Sequence, residues 1–179
     1  MLVRNRFLLW FGAKHSGKTT AAAKLAQRAC AEGFTVAGLL APSVYLNGEL
    51  MGFDALDLRN KTRAHLADRK TNGNKIERFA FTAAGLKLGS AALSPASTKS
   101  AELIIVDEFG PLEIHGGGWR KNVDSLLTST NALILLVIRQ ELAEQVQQLY
   151  ANVPSRKLSA SEPESIDEVL TILRSHRGY

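Results

Sequence analysis

The chain has 179 residues, 45% hydrophobic and 22% charged, which suits one packed α/β domain over residues 1–179 and excludes wholesale disorder. Lys and Arg number 22 against 17 Asp and Glu, a net charge of +5. That excess favours anionic ligands, and the scattered placement of the basic residues favours a nucleotide over nucleic acid as main partner.

The lone cysteine, Cys30, excludes an intrachain disulfide and a multi-cysteine metal centre and suits a reducing, cytoplasmic setting. Between alanines on a helix, it reads as a small core residue. The apolar stretch at residues 7–13 is too short for a membrane span, which needs about 20 residues, and it lacks a signal-type cleavage site. A soluble chain with no membrane partner, monomeric or weakly oligomeric, is expected.

In chain order, the apolar run Phe7-Leu8-Leu9-Trp10-Phe11, ended by Gly12, predicts a strand buried on both faces. Residues 18–32 are alanine-rich and closed by Gly33, which predicts a helix. A second apolar strand follows at 35–40, completing a strand–helix–strand unit and a parallel pair. Asn47-Gly48 between strand-like runs predicts a β-hairpin leaving or edging the sheet, because both turn residues take positive φ.

Residues 59–75 are polar and basic and read as a surface loop. A short strand at 79–81, a weak helix at 84–94 and a polar loop at 94–100 come next. Then follow a buried strand at 103–106, a helix at 119–128, a strand at 132–138, a helix at 141–150, a short segment at 156–158 and a last helix at 164–174. This alternation predicts a mostly parallel α/β sheet with helices on both faces and an added hairpin.

Gly12-Ala13-Lys14-His15-Ser16-Gly17-Lys18-Thr19 matches G-x-x-x-x-G-K-[ST], with a buried strand before it and a helix after it. Glycines let successive backbone N–H groups turn inward around a phosphate, and the helix start adds positive potential. Lys18 is expected to bridge β- and γ-phosphate oxygens and Thr19 to ligate Mg²⁺. Thr20 extends the nucleotide-binding set, and Lys14 and His15 fill its variable positions.

Asp107-Glu108 closes the strand at 103–106, at the sheet edge where ligands collect. Asp107 is a candidate Mg²⁺ ligand and Glu108 a candidate general base toward water. Gly110, in the loop behind them, joins the nucleotide-binding set. Arg139, ending the strand at 132–138, can offset charge developing on the γ-phosphate or cap a helix. Arg120 and Lys121 are alternatives for that role. Glu113 can place the 108–113 loop or be a surface acid, and Trp119 can pack on a base or staple its helix.

The cradle GAKHSGKTT, the segment VAGLLAPSVYLNGELMGFDALDL and the block LIIVDEFGPLEI together resemble the THEP1-type nucleoside-triphosphatases. The resemblance covers most of residues 7–138. It implies a RecA-like P-loop domain that hydrolyses ATP, GTP and other triphosphates with broad base tolerance. The chain departs from the family pattern at Pro42-Ser43-Val44-Tyr45 and at Gly116-Gly117-Gly118-Trp119. Two other readings share the cradle: a P-loop kinase passing the γ-phosphate to a nucleoside, cofactor or nucleic-acid acceptor, and a nucleotide-gated adaptor.

Overall fold

A computed structural model of the chain describes residues 6–72 and 75–177. Strand β1 (Phe7–Gly12) has a parallel neighbour on each side, β8 (Leu133–Arg139) and β9 (Ser155–Ser159). Its side chains alternate between two cores. Phe7 and Leu9 pack with Val123 and Leu126 of α5 (Arg120–Ser129) and Val146 of α6 (Ala143–Leu149). Leu8 and Trp10 pack with Leu25 and Ala29 of α1 (Lys18–Ala31) and Leu170 of α7 (Ser165–Arg177). Each such side chain taken from water contributes about 1.5–3 kcal/mol, so the strand that launches the glycine-rich loop is anchored from both faces.

The parallel part of the sheet runs β2 (Val36–Leu40), β7 (Leu103–Val106), β8, β1, β9. As expected, β1, α1 and β2 form a parallel crossover, but β7 and β8 lie between the two strands. The Asp-Glu strand is therefore one strand removed from the cradle strand.

Beyond β2 the sheet becomes antiparallel and forms a wing: β3 (Ser43–Leu46), β4 (Glu49–Asp57), β5 (Arg63–Asn72) and β6 (Lys75–Phe81). The whole is a mixed nine-stranded sheet, less parallel than the sequence suggested. Asn47 and Gly48 make the hairpin turn at φ +50° and +81°, as their identities require.

The expected surface loop over 59–75 is corrected by β5, residues 73–74 lying outside the described residues. Leu66 and Ala67 are buried beneath the wing while Arg63, His65 and Asp68 face water. Arg63 and His65 both reach Asp54 across the β4–β5 pair, at 2.5 and 3.0 Å. A charged outer face hid a half-buried strand.

Between wing and core lie α2 (Ala83–Ala92) and α3 (Pro95–Thr98). The latter is a turn capped by Ser94, where a loop was expected. Cys30 is exposed, not a core residue; α1 turns Ala26 and Ala29 inward instead. Among the described residues, no helix is long and apolar enough to cross a membrane.

Candidate active site

Gly12 is the register partner of Arg139 on the neighbouring strand, so the loop leaves the sheet beside that arginine. Residues 13–17 stand exposed at the carboxyl ends of the parallel strands, and Gly17, at φ +80°, turns the chain into α1. Among the described residues, no side chain caps the start of α1 and its first turn holds no acid. The first-turn N–H groups and the positive end of the helix are left for an anion. Lys18 folds back over the loop and its Nζ donates to the Ala13 carbonyl at 2.7 Å. Burial draws its pKa below the usual lysine range, while the charges of Glu108 and Asp107 oppose that shift.

Asp107 is wholly buried. Its Oδ2 accepts the Ala41 N–H at 3.1 Å and its Oδ1 the Glu108 N–H at 2.9 Å. Burial pushes its pKa up to about 6 and the Glu108 charge adds to the rise, while the Ala41 N–H, the Thr19 hydroxyl and the Glu108 N–H restrain it. A desolvated carboxylate beside a hydroxyl is a hard-oxygen pair in want of a cation. Thr19 and Asp107 thus fit a divalent ion. Among the described residues no cluster of three or more His, Cys, Asp or Glu could hold a metal ion, so such an ion would rely on phosphate and water oxygens for its remaining ligands.

Glu108 takes φ +56°, an uncommon backbone for a non-glycine residue. Its side chain remains partly exposed, with Oε2 3.9 Å from Arg139 Nη2. The next turn is held by Glu113, buried in α4 (Pro111–Ile114). Its carboxylate accepts the Gly110 N–H at 2.8 Å and the Trp119 N–H at 3.2 Å. Burial raises the pKa of Glu113, and the Gly110 and Trp119 N–H groups counter it. Of its two readings, Glu113 places the loop.

Lys14 to Thr20, Glu108 and Arg139 line one cleft of about 690 Å³. Its other wall belongs to the wing: Tyr45, Leu50, Phe53, Leu56 and Phe79.

The NTPase family profile matches residues 9–170. The chain belongs to the NTPase family. It is accordingly an enzyme of nucleoside-triphosphate hydrolysis, as the family resemblance implied. It is 32% identical over 136 residues to a nucleoside-triphosphatase THEP1 of Methanothermobacter thermautotrophicus, covering 75% of this chain and 78% of that protein. In fold it is similar to a human cancer-related nucleoside triphosphatase solved in solution, at TM-score 0.72 and 20% identity over 96% of this chain and 98% of the other. It is likewise similar to crystalline THEP1 of Aquifex aeolicus, at TM-score 0.68 and 16% identity, covering 93% and 98%.

In this NTPase the fold brings together the expected Lys18, Thr19, Asp107, Glu108 and Arg139. Gly110 is buried and its N–H is committed to Glu113, so it holds the loop; like Gly12, Ala13 and Asp107 it is not among the residues lining the cleft. Trp119 is buried against Gly89 of α2, which leaves it no face for a base. Arg120 is engaged with Asp124 at 2.9 Å and lies over the Tyr150 ring. The aromatic wing wall escaped the sequence reading. The hairpin was legible from Asn47-Gly48, but its facing depends on pairing with β5 and β6, and β5 was read as loop.

Proposed function

We propose that the chain hydrolyses nucleoside triphosphates to the diphosphate and phosphate with Mg²⁺, in the cytoplasm, with little discrimination among bases. The observation that carries this reading is Asp107, a wholly buried carboxylate beside Thr19 at the mouth of the cradle. Its carboxylate accepts the Ala41 and Glu108 N–H groups and the Thr19 hydroxyl, and a metal–triphosphate complex would add a cation beside it. When bound, Mg²⁺ would be held by Thr19 and Asp107 and would neutralise charge on the β- and γ-phosphates.

The loop N–H groups of residues 13–17 and the open start of α1 bind the phosphates. Lys18 exchanges its bond to Ala13 for phosphate oxygens, and Thr20 adds a hydroxyl beside them. Glu108 takes the proton of the attacking water, and Arg139 offsets charge gathering on the γ-phosphoryl oxygens. Both side chains belong to one protomer, so a monomer suffices. Lys14 and His15, exposed on the loop, add positive and polar surface but no step.

The test is turnover of ATP, GTP, CTP and UTP with Mg²⁺ and with excess EDTA. All four should turn over with kcat/KM within about a hundredfold, roughly 2.7 kcal/mol, and EDTA should stop them. Full activity in EDTA, or turnover only when a phosphoryl acceptor is added, would overturn the reading.

A further inference from the structure

The cleft has two chemically unlike walls. One is the cradle with Glu108 and Arg139. The other, on the wing, is apolar, with Phe53 and Phe79 meeting edge to face at 4.9 Å. Each of these wing residues is only partly buried, and Tyr45 is 58% exposed. Aromatic surface left in contact with water inside a cleft is a standing gain for any planar ring that covers it. The chain passes from one wall to the other at 41–45: Ala41 gives its N–H to Asp107, and Pro42 leads directly into β3 and Tyr45.

We propose that the wing wall, centred on Tyr45, Phe53 and Phe79, is a stacking subsite for a nucleobase. The proposal rests on the reading of the cradle as a triphosphate site and extends it. Every base presents a π-face, and the lining side chains of the wing, Ser43, Leu50, Leu56 and three aromatic rings, bring two hydroxyls, those of Ser43 and Tyr45, to meet a base edge. Such a wall holds any base and selects none. The ring it holds is either the base of the triphosphate in the cradle or that of a second nucleoside beside it.

The variant is Tyr45→Ala, with Tyr45→Phe keeping the ring. The side chain is mostly in water, so its loss leaves the fold intact, and matched melting curves check this. Binding is measured by calorimetry with Mg²⁺ and three probes: a non-hydrolysable ATP analogue, inorganic tripolyphosphate, and adenosine added to the tripolyphosphate-bound protein. If the base of the triphosphate stacks here, Tyr45→Ala weakens the ATP analogue about five- to a hundredfold. Tripolyphosphate is then unaffected, and Tyr45→Phe behaves as wild type. If a second nucleoside stacks here, the ATP analogue is unaffected and adenosine shows that loss instead.

Either pattern supports the subsite. Equal binding of all three probes by wild type and Tyr45→Ala overturns it and leaves the cradle standing. Failure of wild type to bind tripolyphosphate or the ATP analogue overturns the cradle, and the subsite with it.

Discussion

The Arg139 guanidinium lies 3.9 Å from the Glu108 carboxylate, across the ends of neighbouring parallel strands. That is too long for a hydrogen bond, and both side chains are about a third exposed. An ion pair of this kind contributes about 0–1 kcal/mol. The backbone under Glu108, meanwhile, holds the left-handed region at φ +56°, a conformation that costs on the order of 1 kcal/mol or more. Stability does not account for the arrangement. A carboxylate and a cation kept close but not bonded, beside a phosphate cradle, fit the roles proposed above for Glu108 and Arg139 in hydrolysis.

Glu108→Gln is expected to separate binding from chemistry. Glutamine keeps the volume and the hydrogen-bonding reach but takes no proton from water. Single-turnover hydrolysis should slow by about two to four orders of magnitude, while Mg²⁺–triphosphate affinity holds or improves. Wild-type chemistry in this variant would remove Glu108 as base and leave the cradle untouched.

Arg139→Ala should lower kcat by about a hundredfold or more, the usual loss for a group stabilising transition-state charge. Nucleotide affinity should move by less than about fivefold, because the phosphates are held mainly by the loop and Lys18. Arg139→Lys should recover part of the rate. A loss of affinity with kcat unchanged would make Arg139 a ground-state binding residue instead.

The parallel core and the cradle were legible in the sequence because each rests on a local signal. Buried strands read as apolar runs, and the loop between 12 and 19 has fixed residue types at fixed spacing. Asp107 and Glu108 followed from position alone, at the end of an apolar strand. What local signals could not supply was pairing. Nothing within 63–72 says that Leu66 and Ala67 face a core, since Arg63, His65, Asp68 and Arg69 surround them, and the strand exists through its bonds to β4 and β6. The wing wall of the cleft was lost with it. Gly110 was misjudged for a related reason: its N–H partner, the buried Glu113, looked as well suited to the surface.

Gly38→Ala should destabilise the protein severely. Gly38 lies mid-strand in β2 at φ +117°, and an added Cβ would fall 2.0 Å from the Ile105 carbonyl oxygen. That neighbour is backbone of the paired strand β7, so relief requires separating the strands that position Ala41 and Asp107. A loss of at least about 3 kcal/mol is expected in chemical denaturation, combining backbone strain with overpacking. A change under about 1 kcal/mol would mean that the close approach is easily relaxed.

Asp107→Asn should reveal the cost of burying this carboxylate through pH. In the nucleotide-free protein the Asp107 pKa is raised from 3.8 to about 6, so between those values the native state holds a proton that the unfolded chain releases. The sign follows: the contribution of this group to stability is greatest below about pH 4, falls as pH rises to about 6, and is constant above. At about 1.36 kcal/mol per unit, the loss is on the order of 3 kcal/mol. Asparagine carries no such titration, so the variant should gain on wild type through that window, on top of a pH-independent loss of one of the two N–H bonds, from Ala41 or Glu108, that its NH2 group cannot accept. Saturating Mg²⁺ and a non-hydrolysable triphosphate should shift the difference back toward wild type, because the ionised carboxylate then faces a cation. Urea unfolding of both proteins at pH 4, 5, 6 and 7, with and without ligand, measures each limb. The difference between the two proteins cancels the carboxylates that shift the other way, among them Glu102, whose pKa the Arg177 hydrogen bond lowers. A stability difference flat from pH 4 to 7 would show that Asp107 is already ionised and satisfied without a metal, and the case for it as a metal ligand would lose its footing.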